Sequence, residues 1–149
     1  MKKLQTIFAA VALLLATSTF ANKGPEKVSP IVKNAFEQQF AGIKQVAWEK
    51  TEGIYFAYFK MDEKDVAVAY TEEGYMLGTS RVIAAAQLPL SVSLAISNKY
   101  LNYAVAKTAT EITYDGQTSY YINIENEKQT LKLKCQSNGD LSVSSKIKK

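Results

Sequence analysis

The chain of 149 residues contains no histidine, one cysteine, three prolines and one tryptophan. Without histidine there is no Ser-His-Asp triad, no Cys-His pair and no histidine-ligated metal. A single cysteine closes no intrachain disulfide and builds no thiolate zinc site. Arginine is almost missing too, Arg81 standing alone among 18 basic residues. A sheet that stacks nucleic-acid bases interleaves its aromatics with basic side chains, so the sequence predicts no nucleic-acid partner. There is no glycine-rich phosphate loop, no G-x-S-x-G elbow and no CxxC pair. The carboxylates are scattered: Asp62, Glu63 and Asp65 lie in one polar turn beside Lys64, and Glu72 and Glu73 in another. A glycosidase needs two carboxyls facing across a cleft, one of them buried, and turn carboxylates are solvated. The Asp62–Asp65 run lacks the spacing and glycine of a calcium loop. The expectation is a chain that is not an enzyme, with no catalytic residue, no cofactor and no metal site.

Long apolar runs are missing as well. The most apolar stretch, Ile7 to Ala16, spans ten residues, whereas a membrane-crossing helix needs about 20. It follows Met1-Lys2-Lys3 and precedes Thr19-Phe20-Ala21, the basic, apolar and small-residue order of a secretory signal peptide. The sequence predicts a signal peptide over residues 1–21, cut after Ala21 or alternatively after Ser18, with no cysteine to make a lipobox. Periplasmic or secreted location follows, with no stable membrane insertion after cleavage. Loss of Lys2 and Lys3 lowers the formal charge from +4 to about +2, so the basic pI is weak evidence for anionic partners. Unpaired in an oxidising compartment, Cys135 is expected to be buried as a small apolar residue.

What is present is an internal correspondence. Shifting the chain by 60 residues lays Val32, Phe36 and Phe40 on Val92, Ile96 and Tyr100, each set one face of an amphipathic helix. Pro30 and Pro89 stand at the two helix starts, where a missing N–H costs nothing. A shift of 65 then aligns Tyr55-Phe56 with Tyr120-Tyr121, Val66, Val68 and Tyr70 with Leu131, Leu133 and Cys135, and Gly74 with Gly139. Strands are expected near 44–50, 54–60, 65–71 and 75–82, then 105–113, 118–125, 129–136 and 140–147. Glu52-Gly53, Met61 to Lys64, Glu73-Gly74, Asp115-Gly116 and Asn138-Gly139 supply the turns. Connections this short join antiparallel neighbours. The fold class expected is α+β, two tandem repeats (about 28–83 and 88–148) of one helix plus a four-stranded antiparallel sheet, within a domain over 22–149.

These residues resemble a known family. The Phe40-Ala41-Gly42-Ile43-Lys44 helix end, Val46-Ala47-Trp48-Glu49-Lys50, the Gly53 turn, the aromatic strand and Glu73-Gly74 are similar to the PepSY-like exported bacterial proteins, related in fold to the beta-lactamase inhibitory proteins. Leu88-Pro89, Asp115-Gly116 and Tyr120-Tyr121 continue the pattern, while no tryptophan in the second half answers Trp48. The resemblance implies a helix-plus-sheet fold, export, and a role in binding or inhibiting another protein, such as a periplasmic or extracellular hydrolase. No inhibitor-specific contact residues are matched.

Strand parity locates a candidate site. In the second half Tyr120, Ile122, Ile124, Leu131, Leu133, Cys135, Leu141 and Val143 should lie under the helix, with Tyr121, Asn123, Glu125, Lys132 and Lys134 toward water. In the first half Tyr55, Ala57, Phe59, Val66, Val68, Tyr70 and Met76 form the helix side, yet the opposite set of Phe56, Tyr58, Lys60, Ala67, Ala69, Tyr75 and Leu77 is mostly aromatic and small apolar as well. An apolar second face requires a cover. The chain's own segments, a protein or peptide partner in the periplasm, a small apolar ligand and a second copy in a homodimer each meet that need. Phe56, Tyr58, Ala67, Ala69 and Tyr75 are therefore the candidate partner-binding face of an exported, non-enzymatic binding module; a ligand-binding or self-associating envelope protein is the alternative. Parity with Val46 points Trp48 to the core beneath the first helix rather than to an exposed anchor.

Overall fold

The structure, a computed structural model, describes residues 27–149; the expected signal peptide and its cleavage site lie outside the described residues. Among these, two helices and eight strands follow the chain: α1 (Pro30–Gln39), β1 (Ala47–Thr51), β2 (Ile54–Met61), β3 (Lys64–Tyr70), β4 (Met76–Ala84), α2 (Leu90–Lys99), β5 (Ala104–Tyr114), β6 (Gln117–Glu125), β7 (Gln129–Gln136) and β8 (Leu141–Lys148). A 3-10 turn, Ala85–Gln87, precedes α2. The expectation of two four-stranded sheets is corrected. All eight strands form one sheet in the order β1 to β8, so the fold is mostly sheet with two helices. Two separate sheets would leave four strand edges with unpaired backbone groups, and one sheet leaves two. Alternation along a strand carries no information about where its edge goes. The chain divides into two compact units between Arg81 and Val82.

In unit 1, α1 buries Val32 and Phe36 against Tyr55, Ala57, Phe59, Val66, Val68 and Tyr70 of β2 and β3. The aromatic centre is Phe36, whose ring lies 5.2 Å from Phe40, 5.2 Å from Phe59 and 5.4 Å from Trp48. Trp48 is half-buried beside this cluster, so the tryptophan packs under the helix. The Tyr70 hydroxyl donates to Gln39 Oε1 at 2.8 Å, tying the last turn of α1 to β3. Met76, expected on this side, is exposed instead. It pairs with Tyr70 at a β-bulge where Ala69 already pairs with Gly78, so the strand is bent there.

In unit 2, α2 buries Val92 and Ile96 against Tyr120, Ile122, Ile124, Leu131, Leu133 and Cys135, with Leu141 at the margin. Val143 pairs with Leu133 and so keeps the helix-side parity, yet it is exposed on β8, the last strand of the sheet. Ser91 Oγ donates to the Ser137 carbonyl at 2.7 Å, fixing the start of α2 over the β7–β8 turn.

The hairpins follow their turn residues. Thr51 pairs with Ile54 and Tyr114 with Gln117, leaving the two-residue loops Glu52-Gly53 and Asp115-Gly116, all four at positive φ. That is the twist-compatible turn with glycine second. Met61 pairs with Lys64 around Asp62-Glu63, also both at positive φ (50° and 61°) but without a glycine. Glu63→Gly should therefore stabilise the protein by about 0.5–1 kcal/mol, the relieved left-handed strain outweighing glycine's greater entropy in the unfolded chain. Urea unfolding followed by Trp48 emission measures it; an unchanged midpoint would show that the turn is unstrained.

Candidate functional site

The backbone of β2 turns Ile54, Phe56 and Tyr58 away from α1, because Tyr55, Ala57 and Phe59 between them pack beneath it. Phe56 pairs with Ala69 and Tyr58 with Ala67, so four of the five candidate residues share one patch. The bulge at Ala69/Tyr70 then brings Gly78 opposite Ala69 and Ser80 opposite Ala67. The result is a trough floored by Ala67, Ala69, Gly78 and Ser80, with the Phe56 and Tyr58 rings stacked along one side at 6.4 Å. Tyr75 is not part of it. It lies in the Thr71–Tyr75 turn ahead of β4 and is 72% exposed.

Phe56, Tyr58, Ala67, Ala69 and Ser80 are all buried, although α1 occupies the other side of the strands. Ser80 Oγ has no hydrogen-bond partner among the described residues. A buried hydroxyl left unsatisfied is unfavourable, and this one belongs to the floor of the trough. Ser80 and Gly78 were not legible as site residues. Simple alternation from Tyr75 and Leu77 leads to 79 and 81, and only the bulge moves 78 and 80 onto this face. Burial raises the Tyr58 hydroxyl well above its ordinary pKa, and the nearby Glu49 carboxylate adds to the shift.

In unit 2 the corresponding face is mixed. Asn123 and Glu125 are exposed and Lys132 and Lys134 half-buried. Tyr121, expected toward water, is buried together with Thr110 and Ile112. Thr110 pairs directly with Tyr121, so β5 supplies neighbours for the ring that β6 and β7 alone would not.

Titration of the buried groups gives a testable pH dependence. Burial pushes the Cys135 thiol from 9.0 up to about 11 and the Tyr70 hydroxyl from 10.0 up to about 12, and raises Tyr121 as well. These acids stay neutral in the fold, which keeps protons that the unfolded chain releases. Their contribution to stability is complete below pH 9 and is lost as pH rises through 9–12. The urea midpoint should fall steadily above pH 9, and Cys135 should react with thiol reagents at pH 8 only at the rate of unfolding. A midpoint unchanged between pH 8 and 11 would contradict this. Among the described residues no group of three or more carboxylates and thiols is arranged to hold a metal ion, and no helix is long and apolar enough to cross a membrane.

No protein-family model matches the sequence, and no curated protein matches it. Solved structures do match its fold. A BLIP-like protein from Bacteroides fragilis superposes with a TM-score of 0.65 at 19% identity, over 84% of this chain and 89% of that one. A DUF2874 family protein from Bacteroides ovatus gives 0.67 at 19% identity, over 83% and 89%. A proposed periplasmic protein from Bacteroides eggerthii gives 0.69 at 16% identity, over 83% and 90%. At these identities the likeness is one of fold: helices and a continuous antiparallel sheet arranged as in a BLIP-like protein.

Proposed function

We propose that the chain is an exported, non-enzymatic binding module whose trough in unit 1 receives an apolar segment of another protein in the periplasm. The trough itself carries this reading. Phe56, Tyr58, Ala67 and Ala69 form an apolar surface that α1 does not need, since α1 is already packed on the opposite side of the same strands. Rigid strand aromatics lose little entropy on docking, and small residues beside them leave room for bulky side chains. The BLIP-like fold and the periplasmic description of one structural neighbour support an exported binding role. Kinship with the PepSY-like proteins, carried by the Val46–Lys50 and Glu73-Gly74 pattern, belongs to the same proposal, as does restraint of a hydrolase.

The test is capture from a periplasmic extract by residues 22–149 and by its Phe56→Ser and Tyr58→Ser variants. Loss of one specific partner, with Trp48 emission and far-UV circular dichroism unchanged, supports the proposal. Equal capture by all three proteins overturns it. A captured hydrolase is then assayed with and without the chain.

A further inference from the structure

We propose that the outer edge of β8 takes an extended acidic segment of another protein as an added strand. β8 stands last in the sheet and, among the described residues, pairs only with β7. Its alternate N–H and C=O groups therefore face outward with no strand to meet them. Every residue from Ser142 to Lys148 is exposed, Val143 at 49% and Ile147 at 65%. The other terminal strand, β1, is guarded differently: it has five residues, and its Lys50 is held by Glu72 at 2.7 Å. One bulge, between Lys132 and Leu133, interrupts the β7–β8 register. Past it, Ser145, Lys146, Ile147 and Lys148 pair one for one with β7, leaving a regular edge on which a further ladder can form.

Charge decides the occupant. β7 and β8 carry Lys132, Lys134, Lys146 and Lys148 and no carboxylate, and among the described residues none of the four is in a salt bridge. The adjoining Lys149 is already paired, with Glu125 at 2.8 Å. Lys146 lies across from Leu131 and Lys148 across from Gln129, on the helix side of the sheet. Lys132 and Lys134 lie on the opposite face, across from the short side chains of Ser145 and Ser142. Positive charge thus flanks the edge on both faces, which suits a strand that turns its side chains both ways better than a flat lipid surface. A second copy pairing through β8 would crowd the Lys146 and Lys148 of both chains onto one short ladder, the repulsion that keeps natural edges apart. An acidic segment gains where a second copy loses. Carboxylates two residues apart fall beside Lys146 and Lys148, and a β-branched residue between them falls beside Ile147. This edge belongs to unit 2, and its role does not depend on the trough of unit 1.

Hydrogen exchange of the full chain with a blocked peptide of alternating glutamate and valine, about ten residues long, tests this. Alternate amides from Ser145 to Lys148 should exchange about tenfold more slowly with the peptide bound, because its carbonyls accept from them. Lys146→Glu together with Lys148→Glu should weaken binding about tenfold, as expected for two exposed ion pairs near the top of their usual range. Unreactive Cys135 at pH 8 shows that unit 2 of this variant is still folded, and Lys146→Gln with Lys148→Gln replaces it if the thiol is exposed. The same peptide N-methylated at alternate residues keeps its charge but loses its ladder donors, and should not bind. Binding that leaves exchange at Ser145 to Lys148 unchanged, or that survives N-methylation, would overturn the proposal by reducing it to surface charge. Equal binding by the substituted chain would overturn it as well. So would an unbound peptide alongside binding to phosphatidylglycerol vesicles that the substituted chain loses, since the lysines would then serve a lipid surface.

Discussion

Phe36→Ala is expected to lower stability by about 3–5 kcal/mol, the range for emptying a large aromatic from a packed core. Phe36 is 3% exposed and meets Phe40, Phe59 and Trp48, so no single neighbour can close the space left behind. The loss falls on unit 1, because α1 holds its sheet mainly through Val32 and Phe36. Urea unfolding followed by the emission of Trp48 reads the effect directly, as the indole is an edge-on neighbour of the missing ring. A loss below about 1.5 kcal/mol would mean that α1 resettles onto β2 and that the aromatic cluster does not hold the helix in place. Phe36→Leu, which keeps most of the volume, should recover the larger part of the loss.

Gly139→Ala should cost about 2–4 kcal/mol, more than a turn glycine ordinarily does. Two causes act together. Its φ of +97° is one that an L side chain rarely adopts, and an added Cβ would lie 3.0 Å from the Ser91 carbonyl oxygen. That oxygen belongs to the first turn of α2, and Ser91 is already anchored to the β7–β8 turn through the Ser137 carbonyl, so neither side can yield cheaply. Gly116→Ala is the control. It shares the positive φ (+71°) but its Cβ would meet nothing within 4 Å, and a loss near 1 kcal/mol is expected from backbone strain alone. Thermal and urea unfolding of both variants measures the difference. Equal losses would show that the close approach to α2 carries no energy.

The sequence correspondence between Gly74 and Gly139 acquires a physical meaning here. Gly74 also sits under a helix start, where a Cβ would lie 3.2 Å from Ile31 Cγ2 and 3.3 Å from Ala35 Cβ. In each unit a strand turn must pass close beneath a helix, and only glycine fits at that φ and distance.

Local patterns made the elements legible. Strands β2 to β8 begin and end within two residues of the spans expected from turn residues and alternation. Glu52-Gly53 and Asp115-Gly116 form their loops because glycine accepts the positive φ that a two-residue hairpin demands. The helix-side residues of both units were readable for the same reason: period two and period 3.6 both follow from local backbone geometry. Burial of Cys135 among Ile122, Leu133 and Tyr120 likewise follows from its place in an alternating strand. The apolar second face at Phe56, Tyr58, Ala67 and Ala69 was legible too, as an alternation that fails to turn polar.

Bulges and edges were decided only in three dimensions. The bulge at Ala69/Tyr70 put Gly78 and Ser80 into the trough, while Met76, paired with Tyr70, is exposed despite its helix-side parity and Tyr75 lies in the turn ahead of β4. A bulge inserts one residue and reverses parity from that point on, and no residue type announces it. Pairing with Thr110 placed Tyr121 in a buried setting that its own strand did not reveal. The missing histidine and the lone cysteine exclude whole classes of chemistry before any folding is considered. The single eight-stranded sheet lay beyond the sequence, because side-chain alternation records which face a residue takes, whereas strand edges are joined by backbone groups that every residue carries alike.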